Sequence, residues 1–169
     1  MAGSIDWAIE AILGATSVEE IELVLRSSAR AGVGAQGATV VRREGDECYY
    51  AEEDAVSPLW KGQRFPLSQC ISGWAMLHHQ SVAIADIRSD SRIPQDAYRP
   101  TFVRSLLVVP IGIRSPVGAI GAYWDDHHIA TNTEINTLER LAAAVEHALA
   151  RVHRARGETS GDSDSLVPA

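Results

Sequence analysis

The segment SLLVVPIGI (Ser105 to Ile113) limits the possible folds of this chain more than any other, because almost every residue in it is apolar. A half-buried strand alternates apolar and polar residues, whereas a continuous apolar run indicates a strand covered on both faces. We therefore predict a central strand in a layered sheet. A second strand, Val117 to Trp124, follows the turn RSP, and its Gly118 and Gly121 allow close packing.

Helices are predicted at both ends of the chain. Thr131 and Glu134 have the spacing of a capping box. After them, apolar residues recur at three- and four-residue steps: Ile135, Leu138, Leu141, Ala142, Val145, Leu149 and Val152. The first helix is predicted from the spacing of Ile5, Ile9, Ile12 and Leu13. A second begins at the capping box Ser17/Glu20 and ends at Gly32 and Gly34.

Short strands and turns are predicted between these helices. A hairpin is expected, because residues 37–43 have a β-branched centre (TVV), 44–46 form a turn and 47–53 return as a second strand. The chain then continues as a loop (53–66), a short helix (68–79), a short strand (81–86) and an irregular segment (87–104).

These elements predict an α+β domain over residues 4–153. Its centre is an antiparallel sheet of about five to six strands, flanked by the terminal helices. Residues 154–169 end in the polar, Gly/Ser-rich stretch GETSGDSDSLVPA. We expect them to form a disordered acidic tail or a linker.

Composition and charge exclude several classes of function. Of the 169 residues, 46% are hydrophobic and 22% charged, as in ordinary globular domains. The formal net charge of −7 argues against binding to nucleic-acid phosphates or to anionic membranes. No apolar run approaches the ~20 residues of a membrane-spanning helix, and two cysteines are too few for a disulfide framework. We expect a cytoplasmic protein with reduced thiols.

Three stretches together resemble the GAF domain family. They are CISGWAMLHHQSVAIADIRSDSRIPQDAYRPTFVRSLLVVPI, VGAIGAYW and TNTEINTLERLAAAVEHAL, and the resemblance extends over residues 5–153. Its specific features are Gly73 in a short helix, an apolar strand ending in Asp86, and the strand pair LLVVPI/VGAIGAYW. The stretch from GWAM to VRSL is similar, more narrowly, to GAF domains of alphaproteobacterial sensor histidine kinases.

The resemblance implies a GAF/PAS-like sheet with the terminal helices on one face and a loop-covered pocket on the other. It also implies a sensory role, because GAF domains bind cyclic nucleotides, tetrapyrroles, haem or metabolites, or bind nothing and dimerise. Aromatic walls with few polar groups suit a small-molecule cleft, and the candidate ligand-binding residues are Trp60, Phe65, Trp74, Asp86, Tyr98, Phe102 and Arg104. The aromatic members of this set are equally compatible with core packing. Asp86 and Arg104 either orient a ligand, pair with one another or cap a loop.

The two cysteines do not fit the chemically active branches of this family. Free methionine-R-sulfoxide reductases carry a GVCG segment that aligns with CISG, so Ser72 falls at their cysteine and Cys70 lies two positions earlier. Residues 86–104, where that family has another cysteine, contain none. Bilin-binding members have a cysteine followed closely by histidine, which neither Cys48 nor Cys70 has. We expect both cysteines to be packing residues, with no catalytic residues and no covalent bilin.

Metal and haem binding are not expected either. Adjacent residues of a helix point about 100° apart, so neighbouring histidines seldom chelate one ion. The histidines are the pairs His78/His79 and His127/His128, with His147 and His153. The cofactor, if there is one, is therefore unknown.

The apolar stripe of the last helix has two possible partners. One is the sheet of the same chain. The other is a second subunit, because the terminal helices of resembling domains form dimeric bundles that pass a signal to the next module. The predicted dimer interface is Ile5, Ile9, Leu138, Leu141, Val145, Leu149 and Val152.

The sequence thus predicts a non-catalytic sensory domain of bacterial signal transduction. We expect a homodimer that binds an unidentified small molecule and acts on a histidine kinase or another signalling module, with no nucleic acid or membrane as partner. One alternative is a GAF module without ligand that acts by dimerisation or docking. Another is an enzyme of the free methionine-R-sulfoxide reductase type.

Overall fold

The fold is described here from a computed structural model, which describes residues 3–164. The helices are α1 (Gly3–Gly14), α2 (Val18–Val33), α3 (Ile71–His78), α4 (Gln95–Tyr98) and α5 (Asn132–Asp164). The strands are β1 (Gly37–Glu44), β2 (Glu47–Ala55), β3 (Arg64–Pro66), β4 (Val82–Ile84), β5 (Ser105–Ile111) and β6 (Gly118–Trp124). Two short 3-10 helices are Leu67–Gln69 and Ile87–Ser89.

The six strands form one antiparallel sheet in the order β3-β2-β1-β6-β5-β4. β5 and β6 pair from Ser105 opposite Trp124 to Ile111 opposite Gly118. The predicted hairpin forms from β1 and β2, with a register shift between Val40 and Val41. The predicted α+β fold with a central antiparallel sheet is confirmed.

One face of the sheet is covered by α2 and α5, with α1 packed on both helices, and we call it the helix-covered face. Every second strand residue points into this layer: Ala38, Val40, Leu107, Val109, Ile111, Ile120 and Ala122. From the helices, side chains with 0% exposure meet them: Ile12, Ile21, Leu25, Leu138 and Leu141. Because Leu106 and Val108 of β5 point to the opposite face and are also buried, β5 is covered on both sides. This agrees with the prediction from its apolar run.

The starts of α2 and α5 follow the predicted capping signals. The N–H of Glu20 donates to Ser17 Oγ at 3.1 Å. At α5, the N–H of Glu134 donates to Thr131 Oγ1 at 3.1 Å, and the N–H of Thr131 donates to Glu134 Oε1 at 2.8 Å. Such bonds satisfy backbone donors that have no partner within the helix, so the first turn is stabilised where the sequence places it.

α5 is longer than predicted. It continues to Asp164, whereas we expected the domain to end at residue 153 and a disordered segment to follow. Residues 154–156 are Arg-Ala-Arg, which favour helix, and no proline follows before Pro168. Residues 165–169 of the expected tail lie outside the described residues.

The opposite face of the sheet carries α3, α4 and the connections between strands, and we call it the loop-covered face. Residues 56–63 join β2 to β3, and residues 85–104 join β4 to β5. We refer to them as the covering segments. In the described part of the chain, no helix combines the length and the apolar character needed to cross a membrane.

Candidate functional site

Five aromatic side chains pack together on the loop-covered face, and we call them the aromatic cluster: Tyr50, Trp60, Phe65, Tyr98 and Tyr123. The Trp60 ring is central, with ring centroids 4.7 Å from Tyr98, 5.4 Å from Tyr123 and 5.6 Å from Tyr50. Tyr50 also meets Phe65 edge-on at 5.6 Å. Aromatic pairs prefer such separations and tilted arrangements. The predicted residues Trp60, Phe65 and Tyr98 are thus brought together.

Trp60 is held by hydrogen bonds to β2 and to the segment 85–104. The Glu53 carboxylate, near the end of β2, accepts the backbone N–H groups of residues 59, 60 and 61 at 2.8–2.9 Å. The indole Nε1–H donates to the carbonyl oxygen of Ala97 at 2.9 Å. Trp60 therefore joins the segment 56–63 to the segment 85–104, and its orientation does not depend on packing alone.

Tyr123 lies flat against the sheet because residue 121 has no side chain. A Cβ atom at Gly121 would lie 2.2 Å from Tyr123 Oη, so any other residue would displace the ring. The Tyr123 hydroxyl and Thr39 Oγ1 share a hydrogen bond of 3.0 Å, and both residues have 0% exposure. A glycine two residues before a tyrosine on one strand face thus makes room for an aromatic ring at the floor of the site.

Little space remains inside the aromatic cluster. The cavity there has a volume of about 10 Å³ and is lined by Tyr50, Trp60, Phe65, Cys70, Pro94, Ala97 and Tyr98. A single water needs roughly 10–15 Å³ measured in this way, so the space holds one water-sized molecule at most. A larger groove of about 590 Å³ lies outside it and shares Phe65, Pro94 and Ala97 with its wall.

The polar atoms of the aromatic cluster carry no charge. Burial raises the pKa of Tyr50, of Tyr98 and of Tyr123 above the usual value of tyrosine, so these hydroxyls stay protonated. Tyr50 Oη lies 3.3 Å from Ser72 Oγ. Among the described residues, no buried side-chain nitrogen or oxygen lacks a hydrogen-bond partner. The aromatic cluster is therefore a packed core in which the buried polar atoms are hydrogen-bonded.

The remaining predicted pocket residues lie around the cluster. Trp74 stacks on His78, with ring centroids 4.0 Å apart, and the Arg92 guanidinium lies over the Trp74 ring at 4.5 Å from its centroid. Phe102 packs beside Gly37 at the end of β1. Neither the Trp74 ring nor the Phe102 ring stacks on a ring of the aromatic cluster.

Asp86 and Arg104 pair with one another at the two ends of the segment 85–104. The Arg104 guanidinium donates from Nε to Oδ1 at 3.1 Å and from NH2 to Oδ2 at 3.2 Å. The N–H of Arg88 also donates to Asp86 Oδ1 at 3.0 Å. The Arg104 guanidinium, followed by this backbone bond, lowers the pKa of the Asp86 carboxyl. Of the three roles considered from sequence, the structure shows the pairing and the loop cap.

Cys48 and Cys70 are neighbours at the edge of the aromatic cluster. Their Sγ atoms are 3.2 Å apart, and both thiols are free and buried. Cys70 precedes α3, and its Sγ accepts the N–H of Gly73 at 3.3 Å. The hydrogen bond from Cys48 lowers the pKa of Cys70, while the same bond and burial raise that of Cys48. Both are buried as expected, but their contact could not be anticipated from a spacing of 22 residues.

A family model of the GAF domain matches residues 15–150. The chain belongs to the GAF domain family. None of the curated proteins matches the sequence.

Solved structures share the GAF fold at low identity. The GAF domain of an Acinetobacter phosphoenolpyruvate-protein phosphotransferase superposes with a TM-score of 0.78 at 12% identity, covering 92% of this chain and 96% of that one. Free methionine-R-sulfoxide reductase of Neisseria meningitidis, solved with its substrate, gives 0.77 at 17% identity, covering 90% and 89%. The chromophore-binding domain of the R. palustris bacteriophytochrome RpBphP3 gives 0.79 at 15%, covering 92% and 62%. At these identities the likeness concerns the fold.

Two members of the aromatic cluster, Tyr50 and Tyr123, escaped the sequence analysis of this GAF domain. Both are strand residues, whereas most of the predicted pocket residues lie in or beside the irregular segments. A signal was present in each case: Tyr50 follows Cys48 at the two-residue spacing of one strand face, and Tyr123 follows Gly121 in the same way.

The residues predicted for a dimer interface lie within a single subunit of the GAF fold. Five of them are buried in the helix-covered core at 0–4% exposure: Ile5, Leu138, Leu141, Val145 and Val152. Ile9 and Leu149 are half-buried and pack against the same core. Packing of α5 on the sheet and of α1 on α2 and α5 within the same chain therefore accounts for these side chains.

No metal centre emerges from the geometry. Within the described residues, no group of three or more His, Cys, Asp or Glu side chains converges as ligands would. His128 instead stacks on Trp124 at 4.2 Å, and its Nε2 lies 2.8 Å from Glu134 Oε1.

Proposed function

We propose that this chain is a non-catalytic regulatory GAF domain of a bacterial signalling protein, closed on its loop-covered face by its own side chains. The supporting observation is the aromatic cluster, which leaves a cavity of about 10 Å³ where the resemblance led us to expect a ligand. A ligand of metabolite size needs a cleft of roughly 300 Å³ or more. In this form of the proposal, the domain acts through its surfaces rather than through a bound molecule.

Opening the cluster would break identifiable interactions. Moving Trp60 would separate its indole N–H from the carbonyl of Ala97 and expose three aromatic contacts. A buried aromatic side chain contributes several kcal/mol to stability, roughly 3–5 kcal/mol when truncated. A ligand would have to recover this free energy before it gained any affinity.

Native mass spectrometry of the purified chain, combined with a thermal-shift panel, tests the proposal. The panel contains a cyclic nucleotide (cyclic GMP), haem and biliverdin. We expect the mass of the polypeptide alone and no stabilisation by any of the three. A co-purifying small molecule, or saturable stabilisation by a member of the panel, would instead support ligand sensing.

Ligand sensing is the second candidate, and one feature favours it. The outer groove of about 590 Å³ meets the cavity at Phe65, Pro94 and Ala97, and the Phe65 side chain is only half-buried. A ligand entering from this groove would displace Phe65 first. Phe65→Ala is therefore the informative variant, because it should create binding in the panel if the groove leads to a latent site.

The output surface of the proposed function is the outer side of α1 and α5, where a second copy would pack to form a homodimer. Trp7 is 57% exposed there, and Ala143 and Ala150 are exposed small residues that permit close helix approach. Arg140 and Asp6 join the two helices at 3.2 Å, so they present one surface. This surface replaces the buried stripe of the initial interface prediction.

Light scattering after size-exclusion chromatography tests the dimer. We expect a dimer for the native sequence and a monomer for Trp7→Glu. Ile129→Glu is the matched control, because Ile129 is 72% exposed but lies outside α1 and α5. A native monomer, or a Trp7→Glu dimer, would remove this part of the proposal.

The remaining parts of the proposal follow from the resemblance noted in the sequence. The similarity of residues 73–106 to sensor histidine kinase domains supports a place in a two-component system, and the free thiols support a cytoplasmic location.

A thioredoxin-coupled assay with free methionine sulfoxide tests the alternative that the chain is a reductase. We expect no turnover, because a cavity of about 10 Å³ cannot admit that substrate.

A further inference from the structure

We propose that Cys48 and Cys70 form a site of reversible oxidative modification, at which a hydroperoxide such as hydrogen peroxide converts the two thiols into a disulfide. The proposal does not rest on the regulatory role argued above. It starts from the position of the sulfur atoms, which are 3.2 Å apart although the residues are separated by 22 positions. A disulfide requires about 2.05 Å, so the two atoms need to approach by about 1 Å.

The two thiols differ in their access to an oxidant. Cys70 lines the small cavity of the aromatic cluster, whereas Cys48 does not and has 0% exposure. Hydrogen peroxide is scarcely larger than water and suits a cavity that holds one water-sized molecule. The half-buried Phe65 side chain forms a common wall of this cavity and the outer groove. The geometry therefore makes Cys70 the thiol that meets peroxide.

The surroundings of Cys70 favour its thiolate. Its Sγ lies 3.2 Å from Cys48 Sγ, within hydrogen-bond distance, and accepts the Gly73 N–H at 3.3 Å. It also lies at the N-terminus of α3, where the helix dipole favours negative charge. These interactions lower the pKa of Cys70, and the thiolate is the nucleophile in thiol oxidation.

The reaction balances in two steps. The Cys70 thiolate attacks one peroxide oxygen, the O–O bond breaks, hydroxide leaves, and Cys70 becomes a sulfenic acid. Cys48 then attacks this sulfur, the S–S bond forms as the S–O bond breaks, and the departing hydroxide takes the thiol proton to form water. Two thiols give up two electrons in total, and one peroxide becomes two molecules of water.

Trypsin provides a direct test on the full chain. Cleavage places Cys48 in the peptide 44–61 and Cys70 in the peptide 65–88, so that a disulfide alone can join them. The protein is treated with hydrogen peroxide, denatured, alkylated with iodoacetamide and digested. We expect the joined peptides at about 2 Da below the sum of the masses of the two free-thiol peptides, and reduction with dithiothreitol before alkylation should give both alkylated peptides instead.

Single substitutions separate the roles of the two thiols. Cys48→Ser should leave a sulfenic acid on Cys70 that dimedone labels, whereas Cys70→Ser should leave Cys48 unlabelled. Phe65→Ala should accelerate formation of the joined peptides by opening the cavity. Circular dichroism of each variant checks folding, and the native-sequence experiment stands without them.

Three outcomes would overturn the proposal. The first is recovery of both cysteines in alkylated form after peroxide treatment. The second is oxidation to sulfinic or sulfonic acid without joined peptides. The third is a disulfide between two chains, visible as a dimer on a non-reducing gel.

Discussion

The two faces of the sheet are both buried, but they are built in different ways. The helix-covered face consists of aliphatic side chains such as Ile12, Leu25 and Leu141, which need coverage and no specific partner. The loop-covered face has Trp60 and Tyr123 at its centre, and the indole N–H of Trp60 and the hydroxyl of Tyr123 each have a hydrogen-bond partner. Long periodic helices are sufficient for the first face. The second requires particular backbone atoms in the covering segments, so its order depends on hydrogen bonds as well as on buried area.

The largest difference between the faces should appear on truncation of Trp60. Trp60→Ala removes the central ring of the aromatic cluster and the bond to Ala97, and we expect a loss of about 4 kcal/mol in the free energy of unfolding. Urea denaturation measures the loss. Ile129→Ala is the control, because Ile129 is 72% exposed and lies outside α1 and α5; a change within about 0.5 kcal/mol is expected there.

The same variant offers a second readout, because indole matches the shape and the N–H donor of the missing side chain. We expect indole to raise the unfolding midpoint of Trp60→Ala and not that of the native chain. Benzene, which has no N–H, should have a smaller effect. Equal effects of indole on both proteins would show that the cluster is not closed in the native chain.

Truncation of a side chain on the helix-covered face should lower the free energy of unfolding by less. It should also reduce hydrogen-exchange protection in a different part of the molecule. Leu141 is fully buried, and Leu141→Ala is expected to lower the free energy of unfolding by about 3 kcal/mol. Leu77→Ala makes the same chemical change at a residue that is 47% exposed and should cost much less. Hydrogen exchange should show Leu141→Ala reducing protection throughout the sheet, whereas Trp60→Ala should act mainly on residues 56–63 and 85–104. A uniform loss in both variants would remove the distinction between the faces.

A smaller effect is expected for the hydroxyl pair at the floor of the aromatic cluster. Tyr123→Phe leaves the Thr39 hydroxyl buried without a partner, and we expect a cost of about 1–2 kcal/mol. Thr39→Val should cost a similar amount. The double variant removes both polar atoms, so it should be more stable than the sum of the single changes predicts. Simple additivity in chemical denaturation would mean that the hydrogen bond contributes nothing specific.

The difference between the faces also explains what the sequence could predict. The helices, their caps and the apolar strand β5 were predictable because their signals repeat over many neighbouring residues. The apolar stripe of α5 was ambiguous, because the same sequence pattern is expected for a helix that packs on its own sheet and for one that packs on a second subunit. Burial of Leu138 and Leu141 against the sheet resolves that ambiguity within one chain.

The candidate site could be predicted only in part. Trp60 and Tyr98 were recognised as aromatic residues in irregular segments, but periodicity does not show which distant residues meet. The contact between Cys48 and Cys70 depends on how α3 packs on β2. Gly73 sets the local path of the chain into α3, because a Cβ atom there would lie 1.9 Å from the carbonyl oxygen of Leu67 in the preceding 3-10 helix. The packing of α3 on β2 is a tertiary contact that no local sequence pattern specifies.

The smallest expected effect concerns acid. Asp86 and Asp90 both lie in the segment 85–104, and the guanidinium groups of Arg104 and Arg92 lower their pKa values from the usual 3.8. A carboxyl whose pKa is lower in the folded state stabilises that state above the unfolded pKa. This contribution is lost as the pH falls through the folded pKa. Acid should therefore loosen the covering segment first, because the helix-covered face is held mainly by aliphatic burial, although Glu22 of α2 pairs with Arg42 there.

Hydrogen-exchange protection factors, corrected for the intrinsic pH dependence of exchange, measure this order of opening. Between about pH 5 and pH 2.5, protection should fall in residues 85–104 before it falls in α5. Asp86→Asn should lower protection of the segment already at neutral pH and weaken its response to acid. Asp96→Asn is the control, because the Asp96 side chain is 94% exposed and its partner Arg99 lies on the same short helix end. Earlier opening of α5 than of the covering segment would contradict the view that charged hydrogen bonds order one face and aliphatic burial the other.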